Sequence, residues 1–148
     1  MIIQELDLFG GIDDDIVEEL VSTMETESYD AGDVVFKAGD PADSFFILVT
    51  GAVSLYISGV TEVAFVALKQ GDAFGWSSLA GRDTYSSTVE CEKPTTLYKI
   101  NKNHLDRVLR QHPATGMLFY KRLSGLVGER VISCHEKLGA LQEKSSKA

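Results

Sequence analysis

Apolar positions along the chain change period twice. Near the start, Ile16, Val17, Leu20, Val21 and Met24 recur at helical spacing behind Asp13 and Asp14. Those carboxylates suit a helix N-terminus, where unpaired amides and the positive dipole end face them. A short helix is expected there. Between Asp33 and Lys99 the pattern shortens to runs of β-branched and aromatic residues at 34–36, 45–49, 53–57, 63–68, 85–89 and 97–100. Turns at Gly32-Asp33, Gly39-Asp40-Pro41, Gly51, Gly59 and Gly71-Asp72 separate them. That recurrence, roughly every eight to twelve residues, predicts a small all-β body: a sandwich, a barrel or a jelly roll, among which periodicity does not choose.

After Ile100 the helical period returns. Asn101 or Asn103 suits a cap, Leu105, Val108 and Leu109 form one apolar face, and Pro113 breaks the chain before a second helix over about 114–143. In that helix Val127, Val131, Cys134, Leu138 and Leu141 step by 4, 3, 4 and 3, the alternation of a coiled-coil seam. The stripe packs either on the chain's own β-body or on a second copy. A parallel homodimer is favoured, and it would place Cys134 near its symmetry mate. Residues 144–148 are small and polar and are expected to form a disordered tail. Residues 1–143 are then one domain, mainly β with flanking helices.

The 148 residues, 44% hydrophobic and 24% charged, have the composition of an ordinary folded protein. A net charge of -8 disfavours direct binding to DNA or anionic lipid, which depends on Lys and Arg neutralising phosphates. No apolar stretch approaches a membrane span, and 1–5 lacks the positive charge of a signal peptide. A cytoplasmic location is the expectation. Cys91 and Cys134 belong to no Cys/His cluster and read as free thiols. His104, His112 and His135 fall in the helical region without ligand spacing, so no metal is expected. No nucleophile-base pairing or phosphate-cradling loop appears, and enzyme activity is not expected.

Leu8-Phe9, Tyr29 through Gly32-Asp33 with Val35-Phe36, and Gly39-Asp40 followed by Ala42-Asp43 form an ordered series. The series continues through Phe46-Ile47-Leu48, Gly51, Val53, Leu68 and Gly71-Asp72-Ala73-Phe74-Gly75. These residues give the chain, from Asp7 to about Leu109, a resemblance to the cyclic-nucleotide-binding family, of the catabolite-activator-like type. It implies an eight-stranded jelly-roll β-roll with an N-terminal helix and a long C-terminal helix, and a cassette for a cyclic phosphate that begins at Phe74-Gly75. Glycine there lets backbone approach an anion, and the following short helix, 76–80, presents free amides.

The side-chain part of the cassette departs from the family. Where the family has a glutamate for the ribose, this chain has Trp76; nine residues on, where it has an arginine for the phosphate, this chain has Tyr85. Each lost charge-assisted bond weakens binding by roughly 1.5–3 kcal/mol, so two predict a drop of about a hundred- to ten-thousandfold. Ser77, Ser78, Leu79, Ser86 and Ser87 remain around the site, and Arg82 is either a replacement cation or an exposed loop arginine. Trp76 and Tyr85 either wall a pocket rebuilt for a flatter, less charged ligand or fill it.

The expectation is a stand-alone regulatory or sensory module. Its effector, a cyclic nucleotide or another small molecule, would lie between the cassette and the C-terminal helix, with Arg130 or Ser133 as a lid. The alternatives are a structural or protein-interaction domain with a filled pocket, and a conventional cyclic AMP or cyclic GMP receptor rescued by Arg82. Regulatory relatives carry a helix-turn-helix after the dimerisation helix. The few residues here after that helix cannot form one, so any regulation is expected to pass through a protein partner.

Overall fold

The computed structural model describes residues 6–57, 63–67 and 69–147; the turn expected at Gly59 and the end of the run at Leu68 lie outside them. Eight strands form two antiparallel four-stranded sheets: β1 (Met24–Tyr29), β2 (Val34–Phe36), β3 (Ser44–Thr50), β4 (Val53–Ile57), β5 (Val63–Ala67), β6 (Ala73–Phe74), β7 (Ser87–Cys91) and β8 (Thr95–Asn101). One sheet has the order β1-β8-β3-β6 and the other β2-β7-β4-β5. The flanking helices are α1 (Asp14–Ser22), α2 (Lys102–Gln111) and α3 (Pro113–Lys147). This is the jelly-roll architecture with N-terminal and long C-terminal helices. Among the described residues, no helix is long and apolar enough to cross a membrane.

β3 explains how the two cores are held together. Its run Phe45-Phe46-Ile47-Leu48 is buried on both faces, so it lacks the apolar/polar alternation of a half-exposed strand. Phe45 and Ile47 join Leu8, Phe9, Val17, Leu20, Leu105, Val108 and Phe119 in a core beneath the helices. Phe46 and Leu48 point the other way, into the roll, with Phe36, Val53, Phe74, Tyr85, Val89 and Leu97.

The Gly-Asp signals are turns of one design. Asp33, Asp40 and Asp72 each accept, through Oδ2, the backbone N–H three residues back, from Asp30, Lys37 and Lys69, at 2.8, 2.9 and 3.1 Å. Part of the acidic charge is thus spent on closing turns.

Two sequence expectations shift. Met24, part of the apolar stripe expected of the first helix, begins β1, and α1 ends at Ser22. The run expected at 85–89 moves two residues on to Ser87–Cys91, because Tyr85 pairs through its backbone with the preceding turn: Tyr85 N–H donates to Asp40 O at 3.0 Å and Gly39 N–H to Tyr85 O at 2.9 Å. Asp13 sits at the N-cap of α1 without a side-chain capping bond, so its carboxylate acts on the dipole alone. Asn101 caps α2, its side chain accepting from Asn103 N at 2.9 Å and His104 N at 3.4 Å. Pro113 opens α3, which continues past residue 143 to Lys147.

Candidate functional site

β6 delivers Ala73 and Phe74 to a sharp corner at Gly75, where φ is 80°. A Cβ there would meet Phe46 Cδ2 at 3.0 Å and Ser44 O at 3.1 Å, so backbone geometry and close approach both require glycine. A single 3-10 turn, Trp76–Ser78, follows in place of the longer helix expected over 76–80. Ser78 Oγ donates to Gly75 O at 2.8 Å, closing the turn on itself. Phe74 stacks on Phe46 in the core, with centroids 5.3 Å apart, and does not line a cleft.

Tyr85 fills the position of the missing arginine. It is 5% exposed, and its ring stacks on Phe36 at 3.7 Å with an interplanar angle of 14°. Its hydroxyl donates to Ser44 O at 2.6 Å and accepts from Ser44 N–H at 3.1 Å. Burial raises the phenol's pKa, while the bond from the Ser44 backbone acts in the opposite direction. The polar end of Tyr85 is thus committed to strand β3.

Some space survives. A cleft of about 160 Å³ is lined by Phe36, Leu55, Ile57, Gly75, Trp76, Ser77, Tyr85, Ser86, Ser87, Arg130 and Cys134. The cassette therefore meets α3 across this cleft, and Arg130 joins the two. Its guanidinium carbon lies 4.0 Å from the centroid of the Trp76 ring, and its Nη2 donates to Ala73 O at 2.6 Å. Burial lowers the Arg130 pKa to about 10, with Asp72 favouring the charged form, so the group stays cationic at neutral pH. Among the described residues lining the cleft, Arg130 is the one charged side chain.

Several residues expected at the site lie elsewhere. Arg82 is exposed and outside the cleft lining, its backbone N–H bonded to Ser77 O at 3.3 Å. Ser133 is half-buried on α3 and does not line the cleft, while Leu79 turns with Trp76 to a second, apolar groove of about 400 Å³ against Tyr120, Leu123, Ser124, Val127 and Gly128. The expected seam divides. Val127 packs against the chain's own core and Cys134 lines the cleft, whereas Val131, Leu138 and Leu141 remain 47%, 56% and 44% exposed. Phe36, Leu55 and Ile57 were not anticipated as lining; in the sequence they are indistinguishable from core strand residues. Both cysteines are free.

The fold defines a jelly-roll domain with flanking helices, and comparison with known proteins identifies its kind. Residues 26–112 match the family described as cyclic nucleotide-binding domain, and the chain belongs to that family. It is 28% identical over 137 residues to Glutaminase 1 of Bradyrhizobium diazoefficiens, covering 93% of this chain and 22% of that protein. To the cAMP-dependent protein kinase regulatory subunit of Blastocladiella emersonii it is 25% identical over 116 residues, covering 77% of this chain and 29% of that one. A cyclic nucleotide-binding domain from Methylobacillus flagellatus superposes with a TM-score of 0.77 at 20% identity, covering 87% of this chain and 74% of that one. The chain thus spans less than a third of the length of these two curated relatives.

Proposed function

We propose that this chain is a regulatory small-molecule-sensing module, with altered or weakened nucleotide specificity, in which an effector occupies the cleft between the cassette and α3. The observation that carries this reading is the Arg130 bridge: one side chain on α3 touches the aromatic wall of the cleft and the backbone of β6 together. Any molecule entering that space changes the contacts that hold the helix to the roll, and helix position follows occupancy as a population shift. The two family side chains for ribose and phosphate have no counterpart, since Trp76 and Tyr85 stand in their places and the Tyr85 hydroxyl is already bonded. Regulation rather than catalysis is the role, passed to a protein partner and not directly to DNA, given the charge of -8. A homodimer through the exposed stripe of α3 and a cytoplasmic location complete the proposal.

The test is a thermal-shift titration with cyclic AMP and cyclic GMP up to millimolar. A ligand at a hundred times its dissociation constant stabilises by about 2.7 kcal/mol. No shift is expected at micromolar nucleotide, and a shift there would restore the conventional receptor. A second reading, an interaction domain whose pocket is filled, is favoured by the burial of Tyr85 and the exposed Val131, Leu138 and Leu141. It predicts that no small molecule binds and that α3 carries the contacts.

A further inference from the structure

We infer that α3 is hinged at Gly125 and Gly128: residues 113–124 stay fixed to the core, and residues 129–147 swing as a lid over the cassette cleft, latched by Arg130. Its service as a gate for an effector rests on the sensing role; the hinge itself stands without a ligand. The two halves of the helix have different surroundings. In the first, Phe119 is fully buried, edge-on to Phe45 with centroids 6.4 Å apart, and Leu123 is 6% exposed. Gly116 packs on α2, where a Cβ would lie 3.1 Å from Leu109 O, so the corner between the two helices is locked. In the second, Arg130 and Cys134 line the cleft, and every side chain from His135 to Lys144 is exposed.

The border between these halves carries two glycines that packing does not demand. A Cβ at Gly125 or Gly128 would meet nothing within 4 Å, and neither residue has a positive φ. Glycine in a helix interior lowers the local helix equilibrium about four- to fivefold against alanine, so two within one turn weaken the rod by roughly twentyfold at one place. Sharp bends concentrate where Gly and Ser are neighbours, and Ser124 adjoins Gly125. Gly128 also walls the apolar groove of about 400 Å³, which leaves space beside the cassette for the helix to bend. The latch lies just beyond, since Arg130 is tied to Ala73 O and to the Trp76 ring. Residues 129–147 form a rod of about 28 Å at ~1.5 Å per residue. A bend of about 20° moves Cys134 by about 3–4 Å and the far end by about 10 Å, so the cleft opens where α3 crosses it.

The test reads distances in the ligand-free full chain with paired spin labels, in a Cys134→Ser background and diluted into excess unlabelled protein so that pairs within one chain are seen. Cys91 is 1% exposed and stays unlabelled. One label sits on β1 at Glu25→Cys and the other on α3 at Lys121→Cys or Glu143→Cys, all exposed positions. The Lys121 distribution should be narrow, and the Glu143 distribution should spread over about 8 Å more. Gly125→Ala with Gly128→Ala should bring Glu143 to the Lys121 width. Gly139→Ala, which raises helix propensity beyond the hinge, should leave it broad, and Arg130→Gln should broaden it only where the two glycines are present. Equal widths in the native protein mean a rigid helix, breadth at Lys121 means motion at the α2–α3 corner, and narrowing by Gly139→Ala as large as by the glycine pair means a fraying end. Each of these overturns the hinge, as does a double-alanine protein as broad as the native one. Should the double variant fail to fold, Gly128→Ala alone decides, with partial narrowing expected and none overturning the hinge. Ligand titration tests the sensing role separately, so either can fail without the other.

Discussion

Replacing Tyr85 by Phe removes one oxygen and leaves the ring. The phenol hydroxyl bonds both backbone groups of Ser44, at 2.6 Å to its oxygen and 3.1 Å from its nitrogen, and Ser44 is 2% exposed. Each bond contributes about 1 kcal/mol net, and a buried group left without a partner costs about 1–3 kcal/mol. The pair therefore sums to roughly 2–4 kcal/mol. The Phe36 stack should survive, since it depends on the ring alone. For a domain of this length each kcal/mol lowers the unfolding midpoint by about 2–4 °C, so calorimetry should find a drop of roughly 4–16 °C. Urea unfolding should give a lower midpoint with an unchanged slope, because the same surface is exposed on unfolding. A loss below 1 °C would show that the hydroxyl faces water or ligand, and would refute the statement that Tyr85 is anchored inward.

Gly51 has φ near 100°, and a Cβ there would lie 2.4 Å from Thr95 Oγ1 and 2.6 Å from Pro94 O, so Gly51→Ala should destabilise by about 3 kcal/mol or more in a urea titration. Val131→Lys with Leu138→Lys removes apolar surface that the chain itself leaves exposed; sedimentation should find a dimer in the native protein and a monomer in the variant, with an unchanged unfolding midpoint at low concentration. Burial raises the pKa of Tyr85, Tyr120 and Tyr29, the last also through its bond to Glu27. The folded state thus keeps protons that the unfolded chain releases above about pH 10. Stability from these groups is complete below that pH and falls as pH rises through their folded values, so unfolding midpoints should decline in alkali, less steeply in Tyr85→Phe.

How much of this was legible follows from which forces act locally. An all-β body is legible because Gly-Asp turns and β-branched runs are fixed by backbone conformation within a few residues, whereas the choice of a jelly roll over a sandwich or barrel came from the family resemblance alone. β1 escaped because Glu25, Thr26, Glu27 and Ser28 give it no apolar alternation; it is defined by pairing with β8, a partner about seventy positions away, and Met24 continues the helical stripe by coincidence. Tyr85 was recognised as the substitute for an arginine, yet its outcome depended on whether a backbone acceptor lay within reach of the hydroxyl. That acceptor belongs to Ser44, whose place beside it is a property of the closed roll. Arg130 was anticipated as a lid, but its seat on Trp76 and its bond to Ala73 exist only where α3 crosses the cassette.

The strength of that crossing limits what the cleft can signal. Arg130 holds α3 through a cation-π contact, worth about 0.5–2 kcal/mol, and a hydrogen bond from a charged donor, worth about 1.5–3 kcal/mol. A ligand that replaced both contacts would change the helix equilibrium by roughly 2–5 kcal/mol. Moving a two-state element from 1:99 to 99:1 takes about 5.5 kcal/mol. Arg130 alone therefore supports a graded response, and full switching requires a second contribution that differs between the two helix positions. The exposed Val131, Leu138 and Leu141 on the same helix are placed to supply it. If they bury against a second copy in one position of α3 and not in the other, the effector has to shift only the remainder. Arg130→Gln and the lysine pair on α3 should then each blunt the ligand-induced change in helix protection measured by hydrogen exchange. A variant carrying both should abolish it.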